Sequence, residues 1–212
     1  MNSAEIAQLY LRSTGRLITA TSAQRRLADR IWREIRPVFQ QALAAHEQMT
    51  GSPSGISESF LAGQISVENS YLDPARTRFE PGVLRHLRLV RDGRQKEYNG
   101  LHTPLLSGKT EAELTALSFS YGLFQVMGYY SLLYGFSLSS LKSPADHPII
   151  AVRLIQQWSG RNASFDYLAA GRWDCALRIW NTGQPGGKTF DPNYVRHALT
   201  QAWLYQQRRE AA

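Results

Sequence analysis

A chain of 212 residues, 43% hydrophobic and 19% charged, is long enough for one generous domain or two small ones and has the composition of a globular protein. No apolar run reaches the roughly 18 residues of a bilayer-spanning helix, and a single cysteine, Cys175, excludes an internal disulfide. The net charge of +7 gives long-range attraction to polyanions without choosing among nucleic acid, anionic lipid and bacterial wall polymers.

The first residues, Met1-Asn2-Ser3-Ala4-Glu5-Ile6, have neither the basic n-region nor the apolar h-region of a signal peptide. The expectation is a mature form, or a protein that leaves the cytoplasm by another route. Residues 1–50 are predicted as an N-terminal helical extension. Its strongest part lies between Ser22 and Gln48, where Leu27, Ile31, Trp32, Ile35, Val38, Phe39 and Ala42 recur at steps of three and four. Ser22 is the expected N-cap, Pro37 the kink or break, and Gly51 with Pro53 the stop. Arg25, Arg26, Arg30, Arg33 and Arg36 fall mostly on the opposite side, as a solvated face.

A second helix is predicted from Ser57 to Ser70, ended by Asp73-Pro74. Within it Leu61, Ile65 and Glu68 follow at steps of four and three and share one side. A carboxylate on an apolar stripe resists ionising, because burial disfavours its charged form. A general acid working near neutral pH needs that property.

Residues 76–108 are rich in Arg, Gly and Pro, and the alternation in "LRLVRDGRQKEY" predicts a small β-hairpin turning at Asp92-Gly93. Thr110 and Glu113 form a capping box that opens a helix through Phe119. Tyr121 to Tyr134 is apolar nearly all round and predicts a buried helix. Further helices are expected near 148–159, 164–170 and 173–180, then a loop "NTGQPGGKTFDP", and a last helix from Pro192 to Arg209. The fold class is therefore mainly α: one helical domain over residues 1–212, with seven to nine helices and one small β insertion. Cys175, between Trp173 and Leu177, fits a buried structural thiol. Nucleotide-binding glycine patterns and HExxH are absent, and the five histidines are scattered singly. No metal or cofactor is expected.

Three segments carry a resemblance: "SVENSYLDPAR" around Glu68, "SYGLFQVMG" at 120–128, and "IWNTG" at 179–183, followed by "NYVRHAL" at 193–199. In this order they resemble the lysozyme-like fold of soluble lytic transglycosylases and goose-type lysozymes. Members of that family show Glu-Ser before an Asn-Pro-type turn, then Gly-Leu-Met-Gln, then Ala-Tyr-Asn-Ala-Gly. The likeness spans residues 57–200, the expected catalytic core. Asn69 replaces the usual Ser, Phe124 the Met, and Trp180 the Tyr, and the gap between Glu68 and Gly122 is longer than in transglycosylases. "RFEPGVLRH" and "GLFQVMG" are similar to segments of phage N-acetylmuramidase endolysins.

The resemblance implies cleavage of the β-1,4 bond between N-acetylmuramic acid and N-acetylglucosamine in peptidoglycan glycan strands, with Glu68 as the acid. Gln125 and Asn181 would bond the sugar acetamido groups or hold the Glu68 carboxyl, since an amide both donates and accepts. Helix capping is the other reading of Asn181. Met127 and Tyr129 would line the groove or pack in the core. Trp180 and Tyr194 would stack on sugars or shape the acid's pocket. A hydrolase usually has a second carboxylate; Asp73, Glu80, Asp92 and Glu97 are the candidates, with Glu80 foremost. None is compelling, and this favours a transglycosylase that forms 1,6-anhydro-muramyl ends. Open alternatives are a hydrolytic lysozyme and a non-catalytic wall-binding module on the same fold. The scattered arginines include no nucleic-acid recognition motif, so no specific nucleic acid is expected. The remaining expectations are action on the bacterial wall, as a phage or virion lysin or a secreted protein, and a monomer by default.

Overall fold

The computed structural model describes residues 1–158 and 164–212, and among them the chain is mainly helical with a small β component. It divides into two compact units, Met1–Leu72 with Ala151–Ala212, and Asp73–Ile150.

The first unit begins with α1 (Ser3–Thr14), opened by an Asn2–Glu5 capping box, and α2 (Ser22–Arg30). The N-cap of α2 is Thr21, bonded reciprocally with Gln24, rather than the expected Ser22. Proline does act on this helix, one turn early. Residues Ile31–Ile35 form a π turn in which the Arg36 N–H reaches back to the Ile31 carbonyl. α3 (Arg36–Thr50) then restarts with Pro37 in its first turn, where a missing N–H costs nothing. Gly51 closes it in the left-handed region, as expected. α4 (Glu58–Glu68) is capped by the Ser57 hydroxyl on the Phe60 N–H.

The second unit corrects two expectations. Residues Pro81–Arg91, read partly as a strand, form helix α5. Leu84, Leu87 and Val90 recur every third residue and are buried, while the arginines between them face outward. In a helix this spacing makes one apolar stripe. α5 follows the short strand β1 (Thr77–Phe79). The hairpin lies further on, in β2 (Glu97–Tyr98) and β3 (Leu101–His102), turning at Asn99-Gly100 instead of Asp92-Gly93. Both turn residues have positive φ, 50° and 86°, the requirement of a tight type I′ turn. α6 (Thr103–Leu106) and α7 (Glu111–Leu117) follow, the latter with the Thr110–Glu113 capping box.

The expected buried helix from Tyr121 to Tyr134 is instead a hairpin followed by a short helix. β4 (Phe119–Tyr121) pairs antiparallel with β1 on one side and β5 (Val126–Met127) on the other, giving the order β1-β4-β5. α8 (Tyr130–Tyr134) and α9 (Leu138–Lys142) come after it. Leu84, Leu87, Val90, Leu101, Leu106, Leu114, Leu117 and Tyr129 make the core of this unit.

The chain returns through α10 (His147–Gln157), α11 (Ser164–Ala169) and α12 (Trp173–Thr182) to the long α13 (Tyr194–Ala211). Residue 159, the expected end of one helix, lies outside the described residues. Cys175 is buried, and burial pushes its thiol up, as befits a structural residue.

Candidate active site

In the first unit α4 and α13 run antiparallel, held at three levels. At one end the Ser59 hydroxyl donates to Gln206 Oε1 at 2.6 Å, and the Tyr205 hydroxyl donates to Glu58 Oε2 at 2.6 Å. In the middle the helices approach so closely that a Cβ on Gly63 would come within 2.6 Å of the Ala198 carbonyl oxygen. At the other end the Tyr194 hydroxyl donates to Glu68 Oε1. The expected acid and the expected pocket tyrosine, 126 residues apart, are thus hydrogen-bonded partners.

α4 is buried on every side from Ser59 to Ser66, and Glu58 at its start and Val67 and Glu68 at its end are half-buried. Tyr194 is fully interior. Burial first, then the charge of Glu68 and the bond to it, push its hydroxyl well above the ordinary tyrosine range. The phenol therefore stays protonated and a donor, and its bond restricts rotation of the Glu68 carboxyl. One turn before Glu68 on the same helix, Gln64 is wholly buried, and neither of its amide atoms has a hydrogen-bond partner among the described residues. An unsatisfied buried amide costs ~1–3 kcal/mol. Sequence reasoning passed over Gln64, although a glutamine inside "FLAGQIS" was the available signal.

Asn181 and Trp180 also lie in this unit, near the end of α12. Capping is not the role of Asn181: Gly183, at φ 77°, closes the helix, and Thr182 bonds the Arg178 carbonyl. The Asn181 side chain is exposed and makes no hydrogen bond among the described residues. Trp180 is half-buried, its indole 5.0 Å from that of Trp158.

The other expected residues belong to the second unit. Gln125 sits at φ 49° in the β4–β5 turn and is 6% exposed. Its amide donates to the Gly122 carbonyl at 2.8 Å and the Arg76 carbonyl at 3.4 Å, and accepts from the Ser120 hydroxyl at 2.9 Å. Both its N–H groups are engaged inside the unit, so its role there is to build the turn. Met127 packs against the core, and Tyr129 is part of it. Burial raises the Tyr129 hydroxyl to about 12, and that hydroxyl accepts from Asn99 at 2.9 Å.

His147 is a residue that sequence reasoning left among scattered histidines. It is 2% exposed, and its Nε2 accepts from the Phe124 N–H at 3.1 Å. Nδ1 faces the Leu141 carbonyl at 3.2 Å, which assigns the proton to Nδ1. A Cβ on Gly122, itself at φ 69°, would strike the imidazole at 2.8 Å. The "GLF" stretch is thus clamped by a neutral histidine, whose pKa burial lowers to about 4.

The candidate second acids belong to the second unit. Glu80 precedes α5 and pairs with Arg78 at 2.5 Å. Arg91 pairs with Asp92 at 2.8 Å and keeps its carboxyl below the usual range. Glu97 accepts from the Gly100 N–H inside its own hairpin, and Asp73 from the Ala75 N–H in a turn. Among the described residues no three His, Cys, Asp or Glu side chains are grouped to hold a metal ion, and no helix is long and apolar enough to cross a membrane. No family model matches the chain, and neither a curated protein nor a solved structure does.

Proposed function

We propose that the protein is a peptidoglycan-cleaving glycosidase, a lytic transglycosylase in which Glu68 serves as both acid and base. The observation that carries this reading is the Glu68–Tyr194 pair: a half-buried carboxyl at the end of a largely buried helix, oriented by an interior phenol. Glycoside cleavage needs a carboxylic acid positioned to protonate the leaving oxygen as the C1–O bond breaks. The Glu68 proton passes to the glycosidic oxygen, and the departing sugar leaves with the bonding electron pair. The resulting carboxylate accepts the proton of the C6 hydroxyl of N-acetylmuramic acid as that oxygen bonds to C1. The 1,6-anhydro ring closes, and Glu68 ends the cycle protonated. No water enters, so no second carboxylate is required. The pairing of Glu80 with Arg78 and Asp92 with Arg91 supports this route over hydrolysis. Asn181, exposed and without a side-chain hydrogen bond among the described residues, is able to meet an acetamido group.

The test is digestion of purified peptidoglycan by wild type and Glu68→Gln, with mass analysis of the released fragments. Anhydro-muramyl ends present in the first and absent in the second are expected. Reducing muramyl ends would replace the transglycosylase by a lysozyme. No release, with the protein still sedimenting on the wall, would overturn the enzymatic reading in favour of a binding module.

A further inference from the structure

The first unit contains a cleft of about 640 Å³ beside the end of α4, within the size range of ligand pockets. One wall comes from the N-terminal extension: Tyr10 of α1, the connection Arg16–Thr21, and the start of α2. The other comes from Ser66 and Val67 of α4, from Ser70 just beyond it, and from Asp191, Arg196, His197, Thr200 and Gln201. The extension thus adds to the catalytic helix a cavity that the 57–200 core alone would leave half-walled.

Its lining is charged in a definite way. Arg16 and Arg196 both face the cleft, and neither has an acidic partner among the described residues. One acid, Asp191, stands with His197 at 3.7 Å. Between these charges lie hydroxyls (Thr19, Ser70) and small apolar surface (Leu27, Val67), with Leu17 78% exposed at the rim. Guanidinium groups without internal anions are natural carboxylate ligands.

We infer that this cleft binds the acidic peptide stem attached to the glycan, with Arg16 and Arg196 receiving its carboxylates. The inference rests on the peptidoglycan reading above and names a second part of the same substrate. A peptide fits the lining better than a phosphodiester polymer. The cleft is bounded, mixes small apolar patches with hydrogen-bonding groups, and carries one acid among its bases. A stem whose third residue is a diamino acid offers an ammonium to Asp191 as well as carboxylates to the two arginines. A polyanion without cationic groups would meet Asp191 as a repulsion.

The test is calorimetric titration of the full chain with a soluble N-acetylated tetrapeptide stem (alanyl-γ-glutamyl-lysyl-alanine), which contains no glycosidic bond. Wild type is expected to bind saturably. Arg16→Gln/Arg196→Gln is expected to weaken binding at least tenfold, whereas Arg33→Gln/Arg209→Gln removes the same charge from exposed helix positions and binds as wild type. Circular dichroism checks that each variant is folded. Equal weakening by both pairs, no saturable binding by wild type, or preference for a polyglycerol phosphate over the peptide would overturn the inference. These outcomes are independent of the digest. Peptide binding with no glycan cleavage would sink the glycosidase reading alone, and cleavage without peptide binding would sink this one alone.

Discussion

The α4–α13 pair carries a glutamate–tyrosine bond at each end, and the two ends differ in what surrounds them. At the Glu58–Tyr205 end a cation is built in. Arg36 lies 3.6 Å from Glu58, whose side chain is 14% exposed, and the Tyr205 ring is wedged edge-on against Trp32 and Phe39. Burial and the bond to Glu58 push the Tyr205 hydroxyl up, and Arg36 and Arg209 oppose the rise. At the Glu68–Tyr194 end burial, the charge of Glu68 and the bond to it raise the phenol in the same direction. The ion pair with Arg36 ties the Glu58 carboxylate into the fold. Glu68, whose phenol partner stays protonated, is the carboxyl proposed to act as acid and base.

The largest effect expected from this contrast is on activity. Glu68→Gln keeps an acceptor for Tyr194 and removes the transferable proton. Wall cleavage is expected to fall by about 10²–10⁴-fold, with thermal stability within about 1 kcal/mol of wild type. Glu58→Gln at the other end reverses the pattern, because the ion pair with Arg36 is lost while cleavage per folded molecule is kept. Paired digests and melting curves of the two variants check both halves. Loss of activity in both, or in neither, would erase the functional difference between the ends.

A pH scan must be separated from a folding effect in the second unit. The His147 pKa is about 4 in the folded protein against 6.5 unfolded. Between these values the unfolded chain binds a proton that the folded one refuses. Stability is therefore intact above pH 6.5 and declines as pH falls toward 4, by about 3 kcal/mol in all. Denaturant titrations at a series of pH values should show this slope, and His147→Gln should lack it. Activity lost at pH 5 by a still-folded protein then belongs to the Glu68 end.

The contrast between the two ends was half legible in the sequence. Glu68 stood out as a carboxylate on an apolar stripe, and Tyr194 through its motif. Nothing local linked either to the other, and Glu58 and Tyr205 drew no notice, because partners 126 and 147 residues apart meet only through the fold. Local chemistry was readable at the Ser57 cap, the Gly51 stop and the Thr110–Glu113 box, and missed by one residue at the Thr21 cap. It failed where two periods overlap. "LRLVR" alternates like a strand, yet Leu84, Leu87 and Val90 repeat like a helix, and the longer stripe won. The run from Tyr121 is apolar throughout, so periodicity could not tell helix from hairpin; Gly122 and Gln125, both at positive φ, make the turn. Gln125, expected to meet sugar, has its amide engaged in holding that turn.

The middle of the helix pair offers a sharper cut. Gly63→Ala places a methyl 2.6 Å from the Ala198 carbonyl, and the opposing atom is backbone, which cannot rotate away. Overpacking of this kind is expected to cost about 1–3 kcal/mol, read as a lowered denaturation midpoint. If the helices separate evenly, both glutamate–tyrosine bonds lengthen together, and activity falls beyond what the unfolded fraction explains. Residual activity in proportion to the folded fraction would show that the Glu68 end is positioned without help from the close approach.

The smallest effects discriminate best. Tyr205→Phe and Tyr194→Phe each delete one phenol-to-carboxyl bond, and each should lose about 0.5–1.5 kcal/mol, the range of an ordinary hydrogen bond. Stability therefore cannot distinguish them, and the pH profile of cleavage can. A donor on a carboxylate favours its charged form, so removing Tyr194 favours protonated Glu68 and should move the profile toward higher pH. Removing Tyr205 should leave the profile where it was, since Glu58 keeps Arg36 and takes no part in the reaction. If both variants shift the profile equally, the two ends are electrostatically coupled along α4. If neither does, Tyr194 only packs beside the acid, and the control of Glu68 must be sought one turn back, at the unbonded amide of Gln64.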